Sequence, residues 1–354
     1  GYGTFLQRTL AGLKRNYETA SSRLLSDSSW YYRFTPELVA FLHECVVRGL
    51  EYLAKDPTRT LNERLAPFED VLIQDSTIVR LHEKLAKIWP ATRSRKVAAG
   101  LKIGVIISAI TGGPKSVSLY AESTNDLKTL RIGPWIKDRI LLIDLGFYKY
   151  QIFSRIQENG GYFVSRLKSN SNPHILEVNR TYRGRSIDVR GRYLQEVLKN
   201  LKRQVLDAEV EVAFKRRSYR GKERNDTERF RLVAVFNEDE GKYHLYITNI
   251  STELLEPEEV AKLYGARWGV EILFKELKSK FALDVVPTSN PKIIEAFVWI
   301  AVLTLLISRR IYTIIRRLNP EAKMVRFTQL RWSTIFAEKA GLLLNALLRY
   351  LGME

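Results

Sequence analysis

Two short apolar runs, VLIQD at 71–75 and RILLID at 139–144, each end on an aspartate. Between them lie LKIGVIISAI (101–110) and SVSLYA (116–121), two strand-like runs on either side of TGGP, a turn signal. A short helix around 124–131 fits next. After RILLID, the stretch LGFYKYQIFSRIQENGG reads as a turn and then a helix stopped by glycines, and YFVSRL (162–167) closes the set. Strands first paired along the chain and then alternating with helices predict a mixed α/β sheet. That is the strongest constraint on the fold.

The flanks have a different texture. Residues 1–69 read as helical, with a serine-rich break at SSRLLSDSS (21–29). TPELVAFLHECVVRGLEYLAK then opens with Thr35 as N-cap and Pro36 at the first helical position. Residues 70–167 are the first part of the α/β domain. Residues 168–252 hold β-rich runs (VEVAFKR, RFRLVAVF, KYHLYITNI) and read as a module inserted into that domain. Its tip, KRRSYRGKERNDTER (215–229), is strongly basic. The α/β domain resumes over 253–315, and a basic helical region, 316–354, follows. No internal repeat or low-complexity tract is present.

The 354 residues carry 57 Lys and Arg against 39 Asp and Glu, a net charge of +18, which points to a polyanionic partner. Membrane surfaces are anionic too. However, the longest apolar run, AFVWIAVLTLLIS (296–308), has 13 residues and is too short for a bilayer, which needs about 20. It is expected to be a buried helix. No signal-peptide pattern is present, and the first residue is Gly1 rather than methionine. Cys45 is the single cysteine, which fits a reducing compartment. His43, His82, His174 and His244 are scattered and match no zinc spacing.

Either Asp75 or Asp144 alone reads more readily as an ordinary turn or cap residue. Together, at strand ends that can converge, they could bridge hard cations such as Mg²⁺. A third acidic candidate lies in LYGARWGVEILFKELKSKFAL (263–283). With about 100° per residue and Tyr264 at zero, Arg267, Glu271, Lys275 and Lys278 fall within about 60° of it. The apolar stripe of Leu263, Val270, Phe274, Leu277 and Phe281 runs beside that row, whereas Lys280, near +160°, faces away. Arg267–Glu271 and Glu271–Lys275 would also make ordinary i,i+4 pairs, worth a few tenths of a kcal/mol each. Helix geometry alone leaves the solvated and the catalytic reading even.

The spacing Tyr264, two residues, Arg267, three residues, Glu271, six residues, Lys278 resembles the Y-(2)-R-(3)-E-(6)-K signature of the IS-four family of DDE insertion-sequence transposases. QDSTIVRL around Asp75, LLIDLGFYKY around Asp144 and GGYFVSRLKSN after it are similar to the same family, and the resemblance covers roughly residues 65–310. It implies an RNase H-like mixed sheet interrupted by a β-rich insertion. The catalytic and metal-binding triad would be Asp75, Asp144 and Glu271, holding two Mg²⁺ for which Mn²⁺ can substitute.

The implied partner is double-stranded DNA, both the element's inverted-repeat ends and the target. The implied working form is a homodimer in a prokaryotic cytoplasm, associated with the nucleoid and not with a membrane. Tyr264, Arg267 and Lys278 would contact DNA near the cut, with Lys275 on the same stripe. Trp268 could stack on a base, although a core position is the stronger reading. Arg166 and Lys168 in SRLKSN, and Arg216, Arg217, Arg220 and Lys222 at the basic tip, are further phosphate candidates, and residues 1–69 are expected to touch DNA. Some relatives hold a flipped base against a tryptophan in the insertion. Residues 168–255 have none, so Tyr182, Tyr193 or Tyr219 would have to substitute. Two other readings stand beside an active transposase: a structure-specific endonuclease with the same metal chemistry, and a non-catalytic DNA-binding descendant.

Overall fold

The computed structural model describes residues 9–55, 61, 63–92, 98–181, 187–219, 222–281, 283, 286, 288–320 and 327–352, apart from the side chains of 20, 217–219, 222 and 223. Three helices come first: α1 (Leu10–Ser21), α2 (Asp27–Tyr31) and α3 (Pro36–Ala54). Thr35 caps α3 as expected, its hydroxyl accepting from the Leu38 amide at 3.3 Å, with Pro36 at the first helical position. Next are β1 (Asp70–Leu81), β2 (Ala99–Ser108), β3 (Pro114–Ala121), α4 (Asp126–Thr129), β4 (Arg139–Ile143), α5 (Tyr150–Glu158) and β5 (Tyr162–Arg166).

The strand order over this part is β3-β2-β1-β4-β5. β1 pairs antiparallel with β2 and β2 antiparallel with β3, while β1, β4 and β5 run parallel. This is the RNase H-like α/β arrangement. Parallel neighbours need a crossover, and α5 supplies the one between β4 and β5.

The segment that follows contains β6 (His174–Val178), α6 (Leu194–Asn200), β7 (Val205–Tyr219), β8 (Lys222–Asn237) and β9 (Lys242–Thr248). Its strands do not form a separate layer. β9 pairs antiparallel with β5, and β8, β7 and β6 follow outward, so one sheet of nine strands runs through the molecule. The basic tip is a tight hairpin closed by Tyr219 opposite Lys222. Because β8 runs parallel to β5, that hairpin projects past the end of the sheet at which β5 begins.

The chain then forms α7 (Pro257–Gly265), α8 (Trp268–Lys275), a π-helical turn (Glu276–Lys280), α9 (Pro291–Leu318) and α10 (Gln329–Tyr350). Side chains alternate across each strand. Val71 and Ile73 of β1, and Ile140 and Leu142 of β4, join the core built with α3, α7, α8 and α9. Leu72, Leu141 and Ile143 join the opposite core with α5 and α6. The expectation that the 296–308 run is too short to cross a membrane is corrected, because it belongs to a helix of 28 residues whose length and composition would suffice. Here that helix is mostly buried, its inner face packed into the core with α3.

One buried ion pair ties the added strands to the chain entering α7. The Arg231 guanidinium donates to both carboxylate oxygens of Asp207 at 2.8 and 2.7 Å, and its third nitrogen donates to the carbonyls of Ile250, Ser251 and Leu255. Both side chains are almost fully buried. Removing one partner leaves an uncompensated charge in the core, so Asp207→Ala should cost about 3–5 kcal/mol. The Asp207→Ala/Arg231→Met double variant should recover most of that loss; both are read by urea denaturation at neutral pH.

Candidate active site

β1 and β4 pair in parallel register up to Gln74 opposite Ile143. The next residue on each strand is an aspartate, Asp75 and Asp144. By alternation Asp75 shares its face with Val71 and Ile73, and Asp144 shares its face with Ile140 and Leu142. Both therefore face α8. β4 ends before Asp144, as expected. Asp75 does not end a strand, because the antiparallel partner β2 continues to pair with β1 as far as Leu81. Asp75 thus sits where one neighbour has stopped and the other has not, so its side chain is only partly covered.

Local bonds orient both carboxylates. Asp75 accepts from the Ser76 amide at 2.7 Å. Asp144 caps the 3₁₀ turn Leu145–Phe147 and accepts from the Gly146 amide at 3.4 Å. Behind that turn stands a pair that the sequence reading missed. Lys102 on β2 is buried and donates to Asp126 at 2.8 Å, and a Cβ at Gly146 would lie 3.4 Å from the Asp126 carboxylate. A lysine inside an otherwise apolar strand was the available signal, because lysine is almost never fully buried without a partner.

The third carboxylate comes from a helix that is broken twice, contrary to the single wheel drawn on the sequence. Between α7 and α8 the bonds shorten to three-residue steps: the Arg267 amide donates to Tyr264, Gly269 to Ala266 and Val270 to Arg267. Gly265 and Gly269, poor helix formers, flank this turn. After Lys275 the Phe281 amide reaches back five residues to the Glu276 carbonyl, which closes the π turn. A π turn rotates everything beyond it relative to a 3.6-residue repeat. Lys278 and Lys280, placed on opposite sides by the wheel, are in fact both half-buried. Glu276, 1% exposed, anchors the turn by pairing with Arg309 of α9, which also donates to the Gly112 carbonyl at 2.9 Å.

Glu271 lies in the first turn of α8, whose Val270, Leu273 and Phe274 are buried in the same core as Ile73. The three carboxylates converge on Arg267. Its Nη1 is 3.8 Å from Asp75, its Nε 3.7 Å from Asp144 and its Nη2 3.0 Å from Glu271, the last a hydrogen bond. The guanidinium stands between the acids, and among the described residues no three Asp, Glu, His or Cys close to metal-binding geometry. The donor set itself fits a hard divalent ion, being all carboxylate oxygen and carrying more negative charge than one guanidinium offsets.

The remaining expected residues divide. Tyr264 is 8% exposed, packs against Tyr246 with ring centroids 5.5 Å apart, and has Arg267 over its ring at 6.0 Å. Its hydroxyl meets the Arg166 backbone, and burial, then the Asp144 charge, pushes it up to about 12. Trp268 is 62% exposed, which overturns the core reading: it lies just after the tight turn, on the outer side of α8. Lys275 is exposed and Arg166 half-buried. Lys168 reaches toward the Tyr148 carbonyl and over its ring at 5.2 Å.

Arg216 does not present a free charge at the hairpin. It pairs with Glu158 at 2.7 Å, with Asp226 and with Glu228 at 3.7 Å, fastening the hairpin to α5. The Arg217 and Lys222 side chains and the whole of Arg220 lie outside the described residues, as do the side chain of Tyr219 and all of Tyr182. Tyr193 is half exposed, against His174.

The transposase DDE domain family matches residues 66–307. The chain is 24% identical over 332 residues to the transposase for insertion sequence element IS1151 of Clostridium perfringens, covering 85% of this chain and 69% of that protein. It is 25% identical over 328 residues to the transposase for insertion sequence element IS231F of Bacillus thuringiensis subsp. israelensis, covering 82% and 66%. The transposase for IS231B of Bacillus thuringiensis subsp. berliner is 23% identical over 306 residues, covering 78% and 63%. The chain thus spans about two thirds of the length of these relatives. It belongs to the transposase DDE domain family.

Burial, with the like charges of Asp144 and Glu271 adding to it, pushes the Asp75 carboxyl up from 3.8 to about 6, against the opposing pull of the Ser76 amide and Arg267. Between those two values the folded chain holds a proton that the unfolded chain has released. Stability therefore falls as pH rises through that window, and above it Asp75 is a net cost. Asp75→Asn should raise stability at neutral pH by up to about 3 kcal/mol and flatten its slope between about pH 4 and 6. Denaturant titrations across that range check both.

Proposed function

We propose that this chain is a DNA transposase that cleaves the ends of an insertion sequence and joins the freed 3′-hydroxyls to target DNA. The observation that carries the reading is the convergence of Asp75 from β1, Asp144 from β4 and Glu271 from α8 on one guanidinium. Carboxylates from separate elements are brought together against their mutual repulsion, which an ordinary surface ion pair does not require.

Asp75, Asp144 and Glu271 would hold two Mg²⁺, with Mn²⁺ able to substitute. Divalent ions held there supply Lewis-acid activation of the attacking oxygen and charge stabilisation of the leaving oxygen. The chain's own part is placement. The Ser76 and Gly146 amides hold the two aspartates in orientation, and the anchored π turn carries Lys278 and holds the end of α8 at Lys275. Arg267, Lys275, Lys278, Arg166 and Lys168 would grip phosphates beside the scissile bond, Tyr264 would wall the site, and exposed Trp268 would stack on an unpaired base. The spacing Tyr264, Arg267, Glu271, Lys278 supports the branch carrying that four-residue signature. The N-terminal helices and the basic hairpin would extend the duplex contact, with two copies each bringing one element end.

The test is single-turnover nicking of inverted-repeat duplex in Mg²⁺, followed by mapping of joined products. Asp75→Asn, Asp144→Asn and Glu271→Gln should each reduce cleavage by several orders of magnitude while duplex binding persists. Ca²⁺ should support binding with little chemistry, because its loose coordination positions oxygens poorly. A variant that cuts at near the wild-type rate removes that residue from the site. Nicking without any joining would favour the structure-specific endonuclease.

A further inference from the structure

Arg267 stands out because its position conflicts with the use of the three acids. Each of its three nitrogens is directed at a different carboxylate, at 3.0, 3.7 and 3.8 Å. A Mg²⁺ ion binds carboxylate oxygen at about 2.0–2.1 Å, so the ions and the guanidinium compete for one volume as well as for the same negative charge. Arginine stays protonated at any working pH and cannot yield by titration. It can yield only by moving.

The local structure permits that movement. Arg267 sits in the three-residue-step turn between α7 and α8 rather than inside a helix, and Glu271 is its one hydrogen-bonded acid. The flanking pieces are fixed. Tyr264 is packed on Tyr246, and the far end of α8 is anchored through Glu276 and Arg309. A long side chain on a short turn between two anchored segments can swing without disturbing either.

We propose that Arg267 is a built-in counter-ion that keeps the acidic site from loading metal until a DNA phosphate draws it away. Phosphate offers the guanidinium a bidentate partner at least as good as a carboxylate. Binding of duplex and binding of divalent ion are then positively coupled, each raising the affinity for the other by the same factor. The benefit is that the metal-loaded site forms on DNA and not in free solution. This inference rests on the assignment of Asp75, Asp144 and Glu271 as metal ligands.

The experiment is calorimetric titration of Mn²⁺ into the whole chain, alone and with a short blunt-ended duplex of random sequence, so that no cleavage need be read. Wild type should bind Mn²⁺ weakly alone and about tenfold or more tighter with duplex. Arg267→Gln should bind Mn²⁺ tightly without DNA and gain little from it. Arg267→Lys, which keeps a charge on a flexible stem, should fall between the two, and it serves as the second variant if Arg267→Gln does not fold by thermal melt. If DNA-free Mn²⁺ affinity is unchanged or lower in Arg267→Gln, or in Arg267→Lys where that is the variant in hand, the counter-ion role is overturned. Asp75→Asn separates the two layers of argument. If Mn²⁺ binding survives in that variant, the metal assignment fails and takes the proposal with it. If Asp75→Asn abolishes binding and the Arg267 variants leave it unchanged, the proposal alone fails.

Discussion

The parallel ladder between β1 and β4 is the constraint on which the rest depends. It places Ile143 beside Gln74, and so Asp144 next to Asp75. A slip of one residue would turn every side chain of β4 over, carrying Asp144 with Ile140 and Leu142 to the face of α5 and away from α8. The register is held by burial on both faces, since every residue of β4 from Ile140 to Ile143 is fully covered. Covered parallel strands of this kind leave few alternatives, because any shift exposes apolar side chains to water.

On that ladder the molecule gathers like charges, and the opposing terms can be compared. Desolvation and repulsion raise Asp75, while one amide and Arg267 oppose them only in part. Elsewhere the chain matches its buried charges closely: Arg231 with Asp207 and three carbonyls, Arg309 with Glu276 and Gly112. Those two clusters hold the chain just before α7 and just after α8. The stretch between them, with its tight turn at Ala266 and Arg267, is where charge is left under-compensated. Carboxylates left under-compensated in this way, beside charges that are paired, are characteristic of functional sites.

The added strands show why sequence texture and architecture can diverge. Their β content was readable from alternation, but whether they pair with β5 or only with one another was not. That depends on a free edge provided by residues remote in the chain, Val164 to Arg166 opposite Tyr246 to Thr248. Charge was similarly ambiguous. Arg216 and its neighbours look alike in sequence, yet Arg216 is taken up by Glu158, Asp226 and Glu228, acids from two different elements.

The sequence by itself determined the strand and helix alternation, the two apolar runs closing on Asp75 and Asp144, the N-cap at Thr35, and the four residue types at 264, 267, 271 and 278 that carry the family resemblance. These are local properties, set by periodicity and spacing over a few residues. Only the tertiary structure decided that Asp75 lies within a strand, because β2 outlasts β4 as its partner. It alone decided that the helix breaks at Arg267, and that it widens after Lys275, where Glu276 is drawn into the core by Arg309. It also set Trp268 outside the core and Arg267 among all three acids. Each of these depends on a partner remote in the chain, and a helical wheel, which assumes one uninterrupted repeat, holds no information about such partners.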